Sequence, residues 1–446
     1  MSGAIDLLRR EPRARVFFAV LTQSSLGTGA AYIALLVVAF DRFDSGWAIG
    51  LVLFADLVPS MFLGPLFGAA ADRWPRRTCM VIADILRAWA FVGIAAVDSF
   101  PATVAFAVVA GAGTGLFQPA ALAALPGLVA EKRTASATAL FGAIADVGFT
   151  AGPAIAALFF LFGGPETILY ANAISFALSA LALALLRFGA APEAEEGEVH
   201  KGLIRQAREG FGAVMAMAGL RAVVLGSGAM LLAAGLFNVA ELPFVREDLD
   251  AGNAGFGILT ALYGVGFVGG SLSGSRGGTP SEIKTRWLIG LAVVSVGFVA
   301  CGVAPSLLVA TLAFALAGVG NGLVLVYERL LIQVTVPDRL MARVFGVRDG
   351  VTAWAFSASF LTAGGLVQAV GARALIIAAG VGGLVVWLGS RIALARAWEE
   401  ESEEGELDDP ELARGPGILR TRAVGEDGAD AVGSGHGGDT VVDHTH

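Results

Sequence analysis

Four acidic side chains interrupt long apolar stretches of this 446-residue chain, and they are the residues best suited to do chemistry. They are Asp56, Asp146, Glu241 and Glu328. A charged side chain at the centre of a bilayer costs about 2.5 kcal/mol or more, so each of these acids needs a partner or a function. A carboxyl group in such a place can take up and release a proton, and that is the chemistry these residues indicate.

Glu241 is the strongest candidate for a protonatable group. In the stretch FNVAELPF it has no basic neighbour, and Asn238 lies three residues earlier on the same helix face. The alternative is a position near the external mouth of the protein, where solvent would surround the carboxylate. Asp56 and Asp146 are the next candidates.

Other charges inside the apolar stretches have simpler explanations. Asp84 and Arg87 are three residues apart, so we predict an ion pair on one helix face. Glu328 lies seven residues after Asn321, again on one face, but Arg329 is its neighbour. An ion pair of Glu328 with Arg329, or with an arginine of the adjoining loop, is therefore the alternative to a role in proton transfer.

The composition of the chain identifies the elements that must hold these residues. The chain is 56% hydrophobic and 15% charged, with a mean hydropathy of +0.74, whereas soluble domains carry about 25% charged residues. Apolar stretches recur from Val16 to Arg396, each long enough to cross a hydrocarbon core of roughly 30 Å as a helix. We therefore predict an all-α integral membrane protein, and the hydropathy argues against an enzyme or a nucleic-acid partner.

We predict twelve transmembrane helices, arranged as two pseudo-symmetric bundles of six. The predicted spans are 16–40, 46–71, 79–97, 102–129, 138–162, 165–187, 222–245, 254–275, 287–304, 306–334, 344–368 and 372–395. The chain then divides into a cytoplasmic N-terminus, an N-terminal bundle, a cytoplasmic linker with a short amphipathic helix, a C-terminal bundle and an acidic tail. In that order these segments cover residues 1–15, 16–187, 188–221, 222–396 and 397–446.

The basic residues predict the orientation of the spans. Of the 30 Lys and Arg, three lie within spans, three in the tail and three in the loops on one side, namely Arg42, Arg246 and Arg373. The remaining 21 lie near the membrane on the other side. Because cytoplasmic loops are rich in Lys and Arg, we predict that both termini are cytoplasmic, in the inner or plasma membrane of the cell.

Two short repeats indicate that the halves of the chain are related. GAGTG at 111–115 returns as GVGNG at 318–322, an offset of 207 residues. ALFGAIADV at 139–147 returns as RVFGVRDGV at 343–351, an offset of 204. Parallel repeats of this kind, with a substrate site at their interface, are typical of transporters.

The remaining composition argues against several other activities. Residues 399–446 hold fourteen Asp and Glu against three Arg and lack the apolar content to fold, so we predict a disordered tail. The four histidines lie in the linker or the tail and the two cysteines lack metal-site spacing, so we expect no metal or cofactor. None of the three lysines follows glycine, so the chain has no phosphate-binding loop for ATP.

The turn between the second and third spans carries a recognisable motif. In GPLFGAAADRWPRR, residues 64–77, four charges and a proline separate two apolar stretches. This turn resembles the G-x-x-x-D-R-x-G-R-R/K signature of the major facilitator superfamily, with Pro75 in place of its second glycine. The residues that carry the match are Gly68, Asp72, Arg73, Arg76 and Arg77. The resemblance covers residues 10 to about 396, since the number of helices, the central linker and the repeat all agree.

The resemblance implies that this turn is a conformational latch between the two halves. Asp72 would bind the positive N-terminal dipole of the eleventh span, which we expect to start near Val344. Gly64, four residues before Gly68, would let the second span approach a neighbour closely. Arg348 and its neighbour Asp349 would be latch partners at headgroup depth. The alternative is that the arginines of the turn act only as topology signals.

A second motif is similar to the antiporter signature of this superfamily. Gly148, Gly152 and Pro153 in GFTAGPAIAAL match its G-x-x-x-G-P core, although alanines replace its last two glycines. The arginine that many proton antiporters carry in the fourth span is absent from AFAVVAGAGTG. Together with FQPAALAALPGLV, these features resemble the drug-efflux and siderophore-export branch, which includes the macrolide and enterobactin exporters.

In this family the first and fourth helices of each half line the substrate cavity. The polar residues that this rule assigns to the cavity are Gln23, Ser25, Tyr32, Gln118, Asn238, Asn321 and Tyr327. Few polar groups in an apolar chamber suit an amphiphilic substrate. The expected function is proton-coupled export of a lipophilic small molecule by a monomer in the bilayer. The alternatives are a narrow siderophore or metabolite exporter, and an uptake symporter on the same fold.

Overall fold

The computed structural model describes residues 2–186, 188 and 203–408 of the chain, and the ordered elements in these ranges are helices. Side chains are described throughout these ranges except at 2–5, 63–73, 146, 149, 203–204, 206–207, 275–276, 338–339, 342 and 398–408. The helices are α1 (Ser2–Arg10), α2 (Pro12–Phe43), α3 (Gly46–Arg73), α4 (Arg76–Ala96), α5 (Phe100–Ala124), α6 (Thr134–Phe159), α7 (Pro165–Leu185), α8 (Leu203–Ala216), α9 (Ala218–Pro243), α10 (Asn253–Ser271), α11 (Pro280–Gly302), α12 (Leu307–Thr335), α13 (Asp338–Val370) and α14 (Ala372–Asp408).

The twelve long helices among these correspond to the predicted spans. Eleven of them are long and apolar enough to cross a membrane. The remaining one is α3, which has 28 residues and whose apolar part is described from Gly46 to Phe62. The prediction of an all-α membrane protein is therefore confirmed. Its linker helix is α8, and most of the predicted acidic tail lies outside the described residues.

The repeated glycine motifs hold corresponding helices together in the two bundles. A Cβ atom on Gly111 would collide with the backbone carbonyl of Asp56 in α3, and one on Gly318 would collide with that of Tyr263 in α10. These two contacts are related by the same offset of 207 residues that relates the motifs. The close approach of α5 to α3 in the first bundle thus recurs as that of α12 to α10 in the second.

The middle glycine of each motif makes a second contact that recurs. Gly113 lies against the Ala83 carbonyl in α4, where a Cβ atom would come within 3.1 Å of the oxygen. Gly320 lies against the Gly290 carbonyl in α11, at 2.8 Å by the same measure. Residues 83 and 290 are again 207 apart, so the sequence repeat at these positions is also a repeat of helix packing.

The most extensive contacts between the bundles are those of α3 with α13 and of α6 with α10. A Cβ atom on Gly50 would collide with the carbonyl of Phe360, and one on Gly257 would lie 2.5 Å from the side chain of Ala157. These contacts lie toward the end of the molecule where α2 ends and α3 begins, which we call the closed face. The opposite end, where α2 begins, is called the basic face.

Polar contacts also link the bundles at the closed face. Arg246, after α9, forms an ion pair with Asp41 near the end of α2. Gln368 of α13 donates from Nε2 to Ser45 Oγ at 2.9 Å. Both connect a loop of one bundle to a helix end of the other, so the bundles are held together on this side by hydrogen bonds as well as by packing.

The basic residues of the closed face are neutralised by acids and helix ends. Arg42 donates to three carbonyl groups at the C-terminal end of α4 and pairs with Glu166 at 3.1 Å. Arg373 donates to two carbonyl groups at the end of α11 and pairs with Asp248 at 3.2 Å. Helix C-termini attract cations. Arg42 and Arg373 therefore stabilise helix ends within their own bundles, whereas Arg246 links the two bundles.

Candidate functional site

A small cavity lies between the two bundles, toward the closed face. Its volume is about 40 Å³ in this conformation. Helices α2 and α6 of the first bundle line it together with α9, α10 and α12 of the second. The lining residues are Gly29, Tyr32, Ile33, Thr150, Pro153, Asn238, Glu241, Thr260, Tyr263, Gly264, Phe267 and Phe314.

Glu241 is the acidic residue of this cavity. It lies two residues before the end of α9 at Pro243 and only 3% of its surface is exposed. Thr260 Oγ1, from α10, lies 2.7 Å from its carboxylate and also 3.0 Å from the Phe256 carbonyl. Among the side chains that the structure describes, no Arg, Lys or His forms an ion pair with Glu241. Glu241 thus has no basic partner among the described residues, as expected. In this conformation its carboxyl group is buried and not surrounded by solvent at an external mouth.

Tyr32 of α2 extends the polar part of this site into the first bundle, since it lines the same cavity as Glu241. Asp56 lies on α3, is half-buried and is not among the residues that line this cavity. The side chain of Asp146, the other candidate acid of this bundle, lies outside the described part of the chain.

Glu328 has a partner that the sequence did not predict. Arg348 of α13 donates from Nε and Nη2 to the two carboxylate oxygens of Glu328, both at 2.9 Å. Arg348 also binds Asp349 at 3.0 Å. The prediction of a pair with Arg329 or with a loop arginine was wrong, because the cation comes from a neighbouring helix. Arg348 lies ten residues after the start of α13. There it is bound to Glu328 and Asp349.

The predicted ion pair of Asp84 and Arg87 is present, and it is enclosed within the first bundle. Ser179 of α7 donates to the second carboxylate oxygen at 2.5 Å. The guanidinium of Arg87 lies over the rings of Phe117 and Phe176, at 4.4 and 4.2 Å from their centroids. These contacts fix a pair of buried charges in place, so they serve structure.

The predicted cavity residues differ in how they relate to this cavity. Tyr32 and Asn238 line it beside Glu241. Asn321 contacts it indirectly, by donating to Oη of the lining residue Tyr263 at 2.8 Å. Tyr327 is fully buried and donates to the Ser273 carbonyl at 2.9 Å, so it supports the bundle and does not line this cavity. The side chains of Gln23 and Gln118 are exposed, and Ser25 is half-buried.

Thr260 and Tyr263 are site residues that the sequence did not identify. Both belong to α10, and the rule that the first and fourth helices of each half line the cavity omits this helix. A hydroxyl group inside an apolar helix is also common in ordinary packing. No local pattern in the sequence therefore distinguished these two residues from other hydroxyl-bearing residues of the spans.

The antiporter-like motif forms a close helix contact beside this site. A Cβ atom on Gly148 would lie 2.6 Å from the Cβ atom of Ser25, and one on Gly152 would collide with the backbone of Gly29. Pro153 lines the cavity. The motif thus sets α6 directly against α2, next to Tyr32.

The proposed latch lies largely outside the described side chains. This applies to Gly64, Gly68, Asp72 and Arg73. In the described part, Arg76 donates to the Ala123 carbonyl at 2.6 Å and Arg77 is exposed. The helix that Asp72 was expected to cap begins at Asp338, after Pro337, rather than near Val344. The expected start was wrong because the first turns of α13 are polar, and a prediction from hydropathy begins a span only where the sequence becomes apolar.

Metal coordination has no basis in the described part of the chain. Among residues 2–186, 188 and 203–408, no group of three or more His, Cys, Asp or Glu side chains is placed to hold a metal ion. The arrangement offers instead hydroxyl and carboxyl groups that line a cavity between the two helical bundles.

The fold and this interfacial site are those of a membrane transporter. The sequence profile of the Major Facilitator Superfamily matches residues 16–360, and the chain belongs to this superfamily.

Its relatives include exporters. The chain is 25% identical to the uncharacterised MFS-type transporter YfiS of Bacillus subtilis, over 88% of this chain and 96% of that protein. It is 26% identical to the multidrug efflux pump Tap of Mycobacterium tuberculosis, over 83% and 90%. It is 25% identical to the putative bacilysin exporter BacE of Bacillus subtilis, over 73% and 81%.

Solved structures share the fold at lower sequence identity. A variant of the nucleoside transporter NupG superimposes with a TM-score of 0.70 at 14% identity, covering 85% of this chain and 99% of that one. An inward-facing bacterial homologue of the human lysosomal transporter Spinster gives 0.68 at 17%, covering 86% and 98%. These similarities establish the fold and do not identify the substrate.

Proposed function

We propose that this protein is a secondary active transporter that exports an amphiphilic small molecule in exchange for protons. The observation that carries the proposal is Glu241, a buried carboxyl group between the bundles that accepts a hydrogen bond from Thr260 and has no cation among its described neighbours. A buried carboxylate without a cation is strongly disfavoured, whereas its protonated form is tolerated. Closure of the bundles around Glu241 would therefore require a bound proton.

The position of Glu241 supports coupling to alternating access. Its cavity is lined by both bundles, so separation of α10 from α6 would expose the carboxyl group to water. The proton and the substrate would then compete for the same site, so that the substrate binds after the proton has left Glu241. This competition is the simplest form of exchange transport, because a ligand can shift the equilibrium only by its differential affinity for the two states.

The lining supports an amphiphilic substrate. Phe267, Phe314 and Ile33 provide apolar surface, whereas Asn238 and Tyr263 are polar groups at fixed positions. A volume of about 40 Å³ is far below the 300–1,000 Å³ typical of ligand pockets, so substrate would bind when the bundles separate. The similarity to the multidrug efflux pump Tap supports the transport of more than one drug.

The sidedness of the protein follows from its basic residues in this proposal. We place the basic face in the cytoplasm, in the cell membrane, with a latch at Asp72 and the following arginines. The closed face, with the Asp41–Arg246 pair, then faces outward. Export would begin with the bundles joined on this outer side and parted on the inner side.

A narrow metabolite exporter is the second candidate. The similarity to the putative bacilysin exporter BacE supports this reading. The same cavity could select one molecule if Asn238 and Tyr32 form obligatory hydrogen bonds with it. Competition by unrelated amphiphilic cations distinguishes the two, because a broad exporter is inhibited by many of them and a narrow one by few.

Efflux of the lipophilic cation ethidium from cells tests the proposal. Wild-type protein should give efflux that a protonophore abolishes, and Glu241→Gln should remove it. Glu247→Gln is the matched control, because Glu247 is exposed in the turn after the same helix. Efflux that persists in Glu241→Gln, at equal membrane levels, contradicts the role of Glu241.

A further inference from the structure

A second polar cavity lies inside the C-terminal bundle, separate from the bundle interface. Helices α9, α10, α11, α12 and α13 line it. Its polar lining consists of Ser227, Tyr263, Asn321, Glu328 and Arg348. Met230 and several aliphatic residues complete the wall.

One polar group in this cavity has no partner in the protein. Ser227 is 3% exposed, and among the residues that the structure describes its Oγ has no hydrogen-bond partner. A buried hydroxyl without a hydrogen bond costs about 1–3 kcal/mol, so such groups are normally bonded to protein or to water. The hydroxyl therefore indicates a ligand with hydrogen-bonding capacity.

The size and polarity of the cavity fit water. It offers about 40 Å³ of free space, and one water needs roughly 10–15 Å³ of such space and two to four polar partners. About three or four waters would fit by this measure. Ser227, Asn321 and the Glu328–Arg348 pair supply the partners, whereas a purely apolar cavity of this size would stay dry.

The cavity meets the interfacial site at a single side chain. Tyr263 lines both cavities, and Glu241 lines the interfacial one together with it. Its Oη accepts a hydrogen bond from Asn321 Nδ2 at 2.8 Å. Because a phenol both accepts and donates, the hydroxyl hydrogen of Tyr263 remains to be donated while Asn321 is bound.

The polar groups are arranged in order from one face to the other. Glu241 lies near the closed-face end of α9, and Asn321 lies midway along α12. Glu328 follows Asn321 by seven residues, about 10.5 Å nearer the basic face. Arg348 is 14% exposed there and Asp349, bound to it, is 67% exposed. The series thus begins at the interfacial site and ends at solvent.

We propose that this chamber is filled with water and conducts protons between Glu241 and the basic face through the C-terminal bundle. The proposal rests on the proposed function, because Glu241 is the group that loads the path. In this transfer the carboxyl O–H bond of Glu241 breaks as Tyr263 Oη takes its proton and gives its own to a chamber water. That water passes one of its protons along the other chamber waters to solvent beside Asp349, so Glu241 loses one proton, solvent gains one, and the Glu328–Arg348 ion pair stays intact.

Radiolytic labelling of the full-length protein in nanodiscs tests the water directly. Hydroxyl radicals made from bound water oxidise an adjacent methionine to its sulfoxide. Met230 lines the chamber and is 4% exposed, whereas Met80 is fully buried in the core between α4 and its neighbours and serves as the internal control. We expect Met230 to be oxidised on the order of ten times faster than Met80. Equal, slow oxidation of both overturns the proposal.

Substitutions in the chamber separate bound water from general exposure. Ser227→Val and Asn321→Leu keep the approximate volume and remove the polar partners, so oxidation of Met230 should fall to the rate of Met80. Ser357→Ala is the matched control, since Ser357 is buried in α13, is not among the residues that line the chamber, and donates to the Ala353 carbonyl of its own helix. Unchanged oxidation in Ser227→Val and Asn321→Leu would mean that Met230 is reached from elsewhere, which contradicts the chamber.

Proton movement tests conduction. In proteoliposomes loaded with ethidium and a pH indicator, Tyr263→Phe should lower proton flux at least about tenfold, because it removes the hydroxyl and keeps the ring that stacks on Phe314. Wild-type flux in this variant refutes the path. Loss of flux in Glu241→Gln is the result that supports the proposed function, so the two claims fail separately.

Discussion

Glu241 and Glu328 are two buried carboxylates of the same bundle, and they differ in what holds them. Both are almost fully buried, at 3% and 1% exposure. Glu328 lies within the bundle and receives two charge-assisted hydrogen bonds from Arg348, whereas Glu241 lies between bundles and receives one from a neutral hydroxyl. The comparison teaches that burial alone does not mark a proton carrier, because the partner decides whether the charge is fixed.

The N-terminal bundle shows the same division. Asp84 is paired with Arg87 and bonded by Ser179 inside the bundle. Asp56 is half-buried on α3 and forms no ion pair with a side chain that the structure describes. Each bundle therefore holds one carboxylate that an arginine neutralises and one without such a pair, although the positions are not related by the 207-residue repeat.

The largest effect is expected when the cation of Glu328 is removed. Arg348→Leu leaves a buried carboxylate without a partner, which should lower the free energy of unfolding by about 3–5 kcal/mol. The double variant Arg348→Leu/Glu328→Leu should recover most of this loss, because a buried pair can be replaced by apolar residues. Denaturant unfolding of the purified proteins gives both values. A double variant no more stable than the single one would break the comparison.

A smaller effect is expected when Glu241 loses its hydrogen bond. Thr260→Val removes the only hydroxyl donor that the structure shows at this carboxyl group, which should cost about 1–3 kcal/mol if the charged form is buried and less if a proton is already bound. Unfolding curves at pH 5 and pH 8 separate these cases. We expect the loss at pH 8 to exceed that at pH 5, and equal losses would argue that Glu241 does not change its protonation.

A partly exposed ion pair sharpens the comparison from the other side. Asp41 and Arg246 join the bundles but are 36% and 25% exposed, so Asp41→Asn should shift the balance of open and closed forms by only about 0.2–1 kcal/mol. Fluorescence energy transfer between labels on α2 and α9 at the closed face measures this balance. A shift of the open–closed balance as large as the loss of unfolding free energy expected for Arg348→Leu would contradict the comparison, because a partly exposed ion pair would then contribute as much as a buried one.

The smallest effect on stability is expected for Glu241→Gln. Glutamine keeps the size and can still accept from Thr260, so the free energy of unfolding should change by less than about 0.5 kcal/mol. Glu328→Gln should instead cost about 3 kcal/mol or more, because Arg348 would lose the buried carboxylate that accepts two of its hydrogen bonds. Similar unfolding curves for these two variants would remove the distinction between the two carboxylates.

Local patterns in the sequence predicted the fold and part of the site. Hydropathy located the spans, the glycine repeat indicated two related halves, and the spacing of Asp84 and Arg87 predicted their pair, because each depends on a short stretch of helix. The partner of Glu328 and the role of Thr260 could not be predicted in this way. Both depend on which face of one helix meets another, and 19–20 residues separate the partners along the chain.

Proton release on substrate binding tests the central claim most directly. Ethidium is added to the purified protein in weakly buffered solution, and the released protons are counted with a pH indicator. If Glu241 exchanges its proton for the substrate, wild type and Glu247→Gln should release about one proton per bound ethidium, and Glu241→Gln should release none while still binding it. Undiminished release from Glu241→Gln would contradict the account.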